Sequence, residues 1–91
     1  MKFRKKPVVI EAAKVHELLD AAAHNWSALP DWIKEAYEKG NVIFRPHIIE
    51  IGTLEGWMAG EGTDWLIRGI KGEFYPCKPD IFDATYEKVE D

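Results

Sequence analysis

The sequence predicts a small α+β domain over residues 1–91, with two helices packed on one curved, mainly antiparallel sheet of about five or six strands. Three observations support this class. Apolar residues at helical spacing are confined to residues 16–39, and β-branched and aromatic runs separated by glycines follow from residue 41. No repeat or linker divides the chain, and 91 residues that are 46% hydrophobic can bury one core without disulfides.

The N-terminal half predicts one strand and two helices. Residues 8–10 form a β-branched run after Pro7 and are expected to be a buried strand. A second helix is predicted over residues 30–39, because Pro30 suits a first helical turn and Gly40 suits a helix end. The first helix, over residues 16–26, presents one apolar face made of Leu18, Leu19, Ala22, Ala23 and Trp26.

The C-terminal half predicts the remaining strands. They are expected over residues 42–44, 48–51, 53–59, 65–70 and 73–75, with Glu55 and Gly56 as a turn or bulge within the third of them. Lys71 and Gly72 form a compact hairpin turn between the last two of these strands. One helical turn is predicted over residues 79–82, and the alternation over residues 86–89 predicts a closing edge strand.

Composition excludes several classes of protein. One cysteine rules out a disulfide framework and a cysteine-based zinc cluster within one chain. The apolar runs are too short for a membrane span or a secretory signal, which favours the cytoplasm. The net charge of −4 and a basic segment limited to residues 2–6 argue against a nucleic-acid partner. We expect no cofactor and no metal ion.

Catalytic motifs are weak in this sequence. Cys77 is next to Lys78, and a neighbouring cation lowers the pKa of a thiol, but no histidine lies nearby in the sequence to act as its base. The two flanking prolines favour a structural cysteine. No glycine pattern matches a phosphate-binding loop. We therefore favour binding over catalysis. Two alternatives remain: an enzyme that uses Cys77 or a pair of carboxylates, with no catalytic residue assigned, and a nucleic-acid accessory protein that binds through the basic residues 2–6.

Two groups of residues are candidates for binding. Arg68 interrupts an apolar strand, so it either pairs with a carboxylate such as Glu73 or, with Arg45 and Lys71, lines a pocket for an anionic ligand. Trp65 is the aromatic residue that would stack on the base of a nucleotide in such a pocket.

Trp57 and Met58 are the best candidates for exposed anchors at a protein interface. They lie between Gly56 and Gly60 in the β half of the chain, and tryptophan is favoured at interfaces. Trp26 and Trp32 are explained by the inner faces of the two helices, so Trp57 is the tryptophan that needs a separate explanation. A homodimer is compatible with this aromatic content.

Four segments of the chain resemble a family of short proteins encoded by bacteriophages and prophages. They are residues 3–12 (FRKKPVVIEA), 53–56 (TLEG), 64–69 (DWLIRG) and, most specifically, a segment that runs through 72–82 (GEFYPCKPDIF) to 85–87 (TYE). Gly62 and Thr63 depart from the Pro-Gly that the family carries before the Asp-Trp pair. The resemblance implies action in the cytoplasm of a host bacterium. It also implies inhibition of a host defence protein, as in CRISPR antagonism, or capture of an anionic nucleotide used as an immune signal.

Overall fold

The computed structural model describes residues 1–90 and shows an α+β fold with three α-helices and two three-stranded antiparallel sheets. The first sheet has the strand order β1-β5-β6, and the second has the order β2-β3-β4. The elements in chain order are β1 (Glu11–Lys14), α1 (Val15–His24), a 3₁₀ helix (Trp26–Ala28), α2 (Asp31–Glu38), β2 (Val42–Phe44), β3 (Ile48–Thr53), β4 (Gly56–Glu61), β5 (Trp65–Arg68), β6 (Phe74–Cys77) and α3 (Pro79–Thr85).

The two sheets and the helices enclose one hydrophobic core. Helix α1 contributes Val15 and Leu18, and helix α2 contributes Ile33 and Ala36. The spacing of three residues places each pair on one face of its helix. Strand β3 contributes Ile49 and Ile51 at the period of two that a strand requires. Strand β5 differs, because two consecutive residues in it, Leu66 and Ile67, are fully buried. Both faces of this central strand are therefore covered.

Local signals place the ends of α2 where the sequence predicts them. Pro30 immediately precedes the helix, and Gly40 follows it with a φ of 77°. The Gly40 N–H donates to the Tyr37 carbonyl and the Asn41 N–H donates to the Ala36 carbonyl. These bonds satisfy carbonyls that the end of a helix leaves free, and the left-handed backbone they need suits glycine.

The prediction of two helices on one sheet is wrong in its details. The six strands are divided between two sheets, and a third helix, α3, continues through seven residues where one turn was expected. The strand predicted over residues 53–59, with a turn or bulge at Glu55 and Gly56, is divided one residue earlier than predicted, since β3 ends at Thr53 and β4 begins at Gly56. The divided sheet follows from the pairing of β1 with β5, which joins distant parts of the chain.

Two predicted strands are absent from their predicted positions within residues 1–90. Residues 8–10 precede β1, and Val9 is 74% exposed rather than buried. Residues 86–89 follow α3 without regular structure. Both segments have strand-like composition, but neither has a neighbouring strand with which to form a ladder.

Candidate functional site

A cleft at one end of the molecule brings together residues that are distant in the sequence. It has a volume of about 320 Å³ and lies between the β3–β4 turn and the β5–β6 turn. We call it the hairpin cleft. The residues that define it here are Asn41, Thr53, Leu54, Trp57, Gly72, Glu73 and Phe74. Of the residues predicted to bind a partner, Trp57 lies in this cleft.

The two turns are shaped by glycines and by a threonine hydroxyl. Gly56 and Gly72 have φ values of 104° and 80°, which residues with a Cβ rarely adopt. Thr53 Oγ1 donates to the Gly56 carbonyl at 2.6 Å and accepts the Glu55 N–H at 3.1 Å. These bonds fix a tight turn that leaves Leu54 83% exposed at the rim of the cleft.

A second depression of about 160 Å³ adjoins the hairpin cleft, since Asn41, Gly72 and Phe74 line both. It is lined by Arg68 and by an ion pair in which Lys39 Nζ lies 2.8 Å from Glu35 Oε1. The hydrogen bond from Lys39 lowers the pKa of Glu35, and the charge of Arg68 lowers it further. The depression therefore holds two cations against one carboxylate.

Lys71 and Glu73 belong to the same turn as Gly72. Glu73 Oε1 accepts the Lys71 N–H at 3.1 Å, so this carboxylate caps its own turn. Within residues 1–90, Glu73 forms no ion pair with Arg68, which is the pairing that the sequence suggested. Arg68 instead faces the Glu35 side of the depression and remains exposed.

The other predicted binding residues lie elsewhere. Trp65 stacks on Phe82 of α3 with ring centroids 4.0 Å apart and lines neither depression. Arg45 Nε donates to Glu50 Oε2 at 2.9 Å. Met58 lies on the face of β4 opposite to that of Trp57, because successive strand residues alternate. The structure therefore does not bring Trp65 and Arg45 to the Arg68 depression.

A separate apolar groove along β2 was not predicted from the sequence. It has a volume of about 590 Å³ and includes Trp26, Tyr37 and Phe44, whose ring centroids lie 4.9–5.7 Å apart. Trp26 and Tyr37 are exposed rather than wholly on inner helix faces, because α1 ends at His24 and a 3₁₀ helix turns Trp26 outward. The sequence signal for this groove was the aromatic character of these residues, but Trp26 had been assigned to an inner helix face and Phe44 to a strand over residues 42–44.

The surroundings of Cys77 do not activate it. Burial raises the pKa of the Cys77 thiol, and the charges of Asp64 and Asp80 add to this effect. Asp64 is only 2% exposed, and its Oδ1 has the ammonium of Lys78 at 3.2 Å but no well-directed hydrogen bond. Lys78 is therefore occupied by Asp64 and does not stabilise a thiolate. A thiol enzyme requires the opposite pKa shift.

Three histidines, His16, His24 and His47, line one shallow depression beside Asp20, although they are distant in the sequence. In the part of the chain that the structure describes, no group of three or more such side chains is arranged to hold a metal ion. Nor is any helix within residues 1–90 both long enough and apolar enough to cross a membrane.

The basic N-terminal segment lies beside an acidic one. Lys5 Nζ is 5.9 Å from the centre of the Tyr86 ring. Lys5 and Lys6 line a depression together with Asp83 and Glu87. Nearby carboxylates oppose the approach of a phosphate backbone, because they compete for the same ammonium groups. This arrangement places carboxylates near Lys5 and Lys6, which are two of the four cations of residues 2–6.

Comparison with known proteins adds no relative to this picture. No protein-family model, no curated protein and no solved structure matches the chain. The resemblance to phage proteins therefore stays a prediction.

Proposed function

We propose that this protein acts by binding a protein partner at the hairpin cleft, with Trp57 and Leu54 as the apolar anchors. One observation carries the proposal. Trp26, Trp32 and Trp65 each pack against another aromatic ring, at centroid distances of 4.9, 6.1 and 4.0 Å. Among residues 1–90, Trp57 makes no such contact and is 58% exposed. An exposed tryptophan beside an exposed leucine is typical of an interface anchor.

The charges beside the cleft favour a partner segment that carries a carboxylate. Arg68 and Lys39 line the adjoining depression, and Lys71 directly precedes Gly72. Of the two nearby carboxylates, Glu35 is already paired with Lys39, and Glu73, which lines the cleft, accepts the Lys71 N–H. A guanidinium binds a carboxylate with two parallel hydrogen bonds, which gives such a contact direction as well as strength. The expected partner surface therefore presents an apolar residue to Trp57 and an acidic residue to Arg68.

The resemblance to phage proteins suggests where this partner is found. We take the site of action to be the cytoplasm of a host bacterium, and the partner to be a component of a host defence system. Comparing the capture of this partner by two variants tests the proposal. Trp57→Ala should abolish capture of the partner from bacterial lysate, whereas Ile81→Ala, which removes a comparably exposed side chain on α3 (55%), should not.

Hydrogen exchange then locates the contact. With the captured partner bound, the amides of residues 53–57 and 69–73 should exchange more slowly than in the free protein. Equal capture by wild type and Trp57→Ala would reject the proposal, and so would protection confined to other surfaces. Arg68→Ala should weaken capture less than Trp57→Ala, because charges at an interface rim contribute less than a buried aromatic anchor.

Capture of an anionic nucleotide is the second candidate, supported by the excess of cations around Arg68. The depression that contains Arg68, at about 160 Å³, is smaller than the roughly 300 Å³ at which ligand pockets begin. It also lacks Trp65. Titration of wild type and Arg68→Ala with a cyclic dinucleotide, followed by tryptophan fluorescence, tests this alternative. A saturable change in wild type that Arg68→Ala loses would favour the nucleotide over the protein partner.

A further inference from the structure

The two sheets leave four edge strands, and three of them carry features that discourage further pairing. β2 has only three residues. β1 has four residues and includes Glu11 and Lys14. β6 contains Pro76, which has no N–H to donate. Short length, charge and proline are the usual protections of a sheet edge. β4 has none of them over residues 56–60, although it is six residues long.

The register shows which peptide groups of β4 lie on its free side. The Gly52 N–H donates to the Asn41 carbonyl on the β2 side of β3. Because bonding direction alternates along a strand, Ile51 bonds to β4 and does so through Met58. Trp57 and Ala59 therefore point their N–H and C=O groups away from β3.

These four groups are free for a partner. Within residues 1–90 no hydrogen bond involves the N–H or C=O of Trp57 or Ala59 outside the ladder itself, and residues 56–59 are all exposed. Glu61 also points outward, but its N–H donates to Asp64 Oδ2 at 2.9 Å and its carbonyl accepts the Asp64 N–H at 2.9 Å. The free edge is thus limited to a short segment centred on Met58.

We infer that the protein forms a homodimer in which two β4 strands pair antiparallel around a two-fold axis at Met58. In this register Trp57 of each copy lies opposite Ala59 of the other. Each of these two pairs exchanges two hydrogen bonds, which satisfies every free peptide group identified above. A second copy is the occupant we favour, because one symmetric register completes the whole edge. The β2-β3-β4 sheets of the two copies then form one continuous six-stranded sheet.

The side chains also suit this register. Trp57 faces the small Ala59, and Met58 faces its own copy on the core side of the sheet, where its register partner is the buried Ile51. Glu61 would lie across from Glu55 at the ends of the pairing, but Glu55 belongs to the turn, and Lys78 Nζ lies 3.5 Å from Glu61 Oε2. The dimer places the two hairpin clefts on either side of the axis, which goes beyond the proposed function and does not depend on it.

The first experiment measures mass against concentration by sedimentation equilibrium, from micromolar to millimolar protein. We expect a concentration-dependent rise from 10.4 kDa towards twice that mass. Ala59→Pro removes an N–H that points outward, so it should weaken dimerisation about tenfold or more while leaving the fold intact. Ala12→Pro is the matched control, because Ala12 lies at an outward-facing position on the β1 edge. It should leave the mass curve unchanged.

The second experiment tests the register. Met58→Lys and Met58→Glu should each be monomeric, because each places like charges opposite one another across the axis. An equimolar mixture of the two variants should regain the dimer mass. A wild-type chain that stays monomeric at all concentrations overturns the inference, and so does a mixture that fails to associate or an Ala59→Pro variant that remains dimeric. Loss of partner capture in Trp57→Ala tests the proposed function and not the dimer, because the dimer is held by main-chain groups of β4.

Discussion

Gly60 is the point at which β4 comes closest to the core, and replacing it with alanine tests the packing described above. A Cβ at this position would lie 3.1 Å from Ile49 Cγ2, 3.2 Å from Val15 Cγ2 and 3.6 Å from Pro76 Cβ. Val15 and Ile49 are fully buried. The three neighbours belong to α1, β3 and β6, so the new methyl group cannot be accommodated by moving one flexible side chain.

Two opposing effects set the size of the change. Alanine reduces the conformational entropy of the unfolded chain relative to glycine, which stabilises the folded protein by about 0.4–1 kcal/mol. Overpacking a tight core costs about 1–3 kcal/mol. Since Val15 and Ile49 are both fully buried and both lie within 3.2 Å of the new Cβ, we expect overpacking to dominate, with a net loss of about 1–2 kcal/mol in the free energy of unfolding.

Urea denaturation with matched variants measures this loss. Gly62→Ala is the control, because its Cβ would meet only His16 Cβ at 3.9 Å, an ordinary contact. It should be neutral or slightly stabilising. Gly60→Ala should also cost less in a Val15→Ala background, where one of the two close methyl groups is gone. If Gly60→Ala is as stable as both wild type and Gly62→Ala, the close approach of β4 to the core is not as described.

Four further predictions concern titration and packing. Burial, together with the hydrogen bond to the Tyr86 hydroxyl, raises the pKa of Tyr75. The stability that this contributes is fully present below about pH 10, the pKa of tyrosine in the unfolded chain, and is lost as the pH rises above it. Tyr75→Phe should therefore flatten the alkaline limb of a curve of unfolding free energy against pH. Burial also raises the pKa of the Cys77 thiol, so iodoacetamide should alkylate Cys77 at mildly alkaline pH more slowly in the folded protein than in urea, and equal rates would contradict the assignment. Asp64→Asn should lower the free energy of unfolding by about 1–3 kcal/mol, and Lys78→Met by less, because Lys78 is largely exposed; urea denaturation compares the two. Trp65→Ala should cost about 2–3 kcal/mol through lost packing on α3 without altering partner capture, which the Trp57 experiment measures in parallel.

Features that depend on a few neighbouring residues could be predicted from the sequence. The ends of α2 follow from Pro30 and Gly40, whose backbone preferences act locally. The presence of a turn around Lys71 and Gly72 follows from the same kind of signal, since Gly72 adopts a positive φ. The predicted two-residue length is wrong, because β5 ends at Arg68 and β6 begins at Phe74. Trp57 is exposed, as the sequence suggested, but it lies in strand β4 and not in a loop that Gly56 and Gly60 leave free to project.

Features that depend on distant pairing could not be predicted in this way. β1 contains Ala12 and Ala13, which have weak strand propensity, and it is a strand because β5 provides its partner. Residues 8–10 have the stronger propensity but lack a partner. The hairpin cleft is a similar case, because Asn41 and Gly72 both line it, and no spacing in the sequence relates those two positions.

The pairing of β1 with β5 also determines the order in which the chain can fold. β3 and β4 are joined by a two-residue turn, so their ladder closes at little entropic cost. The register that joins Ala12 to Ile67 needs most of the chain in place first. During synthesis on a ribosome, the β2-β3-β4 sheet can therefore form before β5 is available to pair with β1. Substitutions in the β3–β4 hairpin should slow folding, whereas substitutions in β1 should mainly accelerate unfolding.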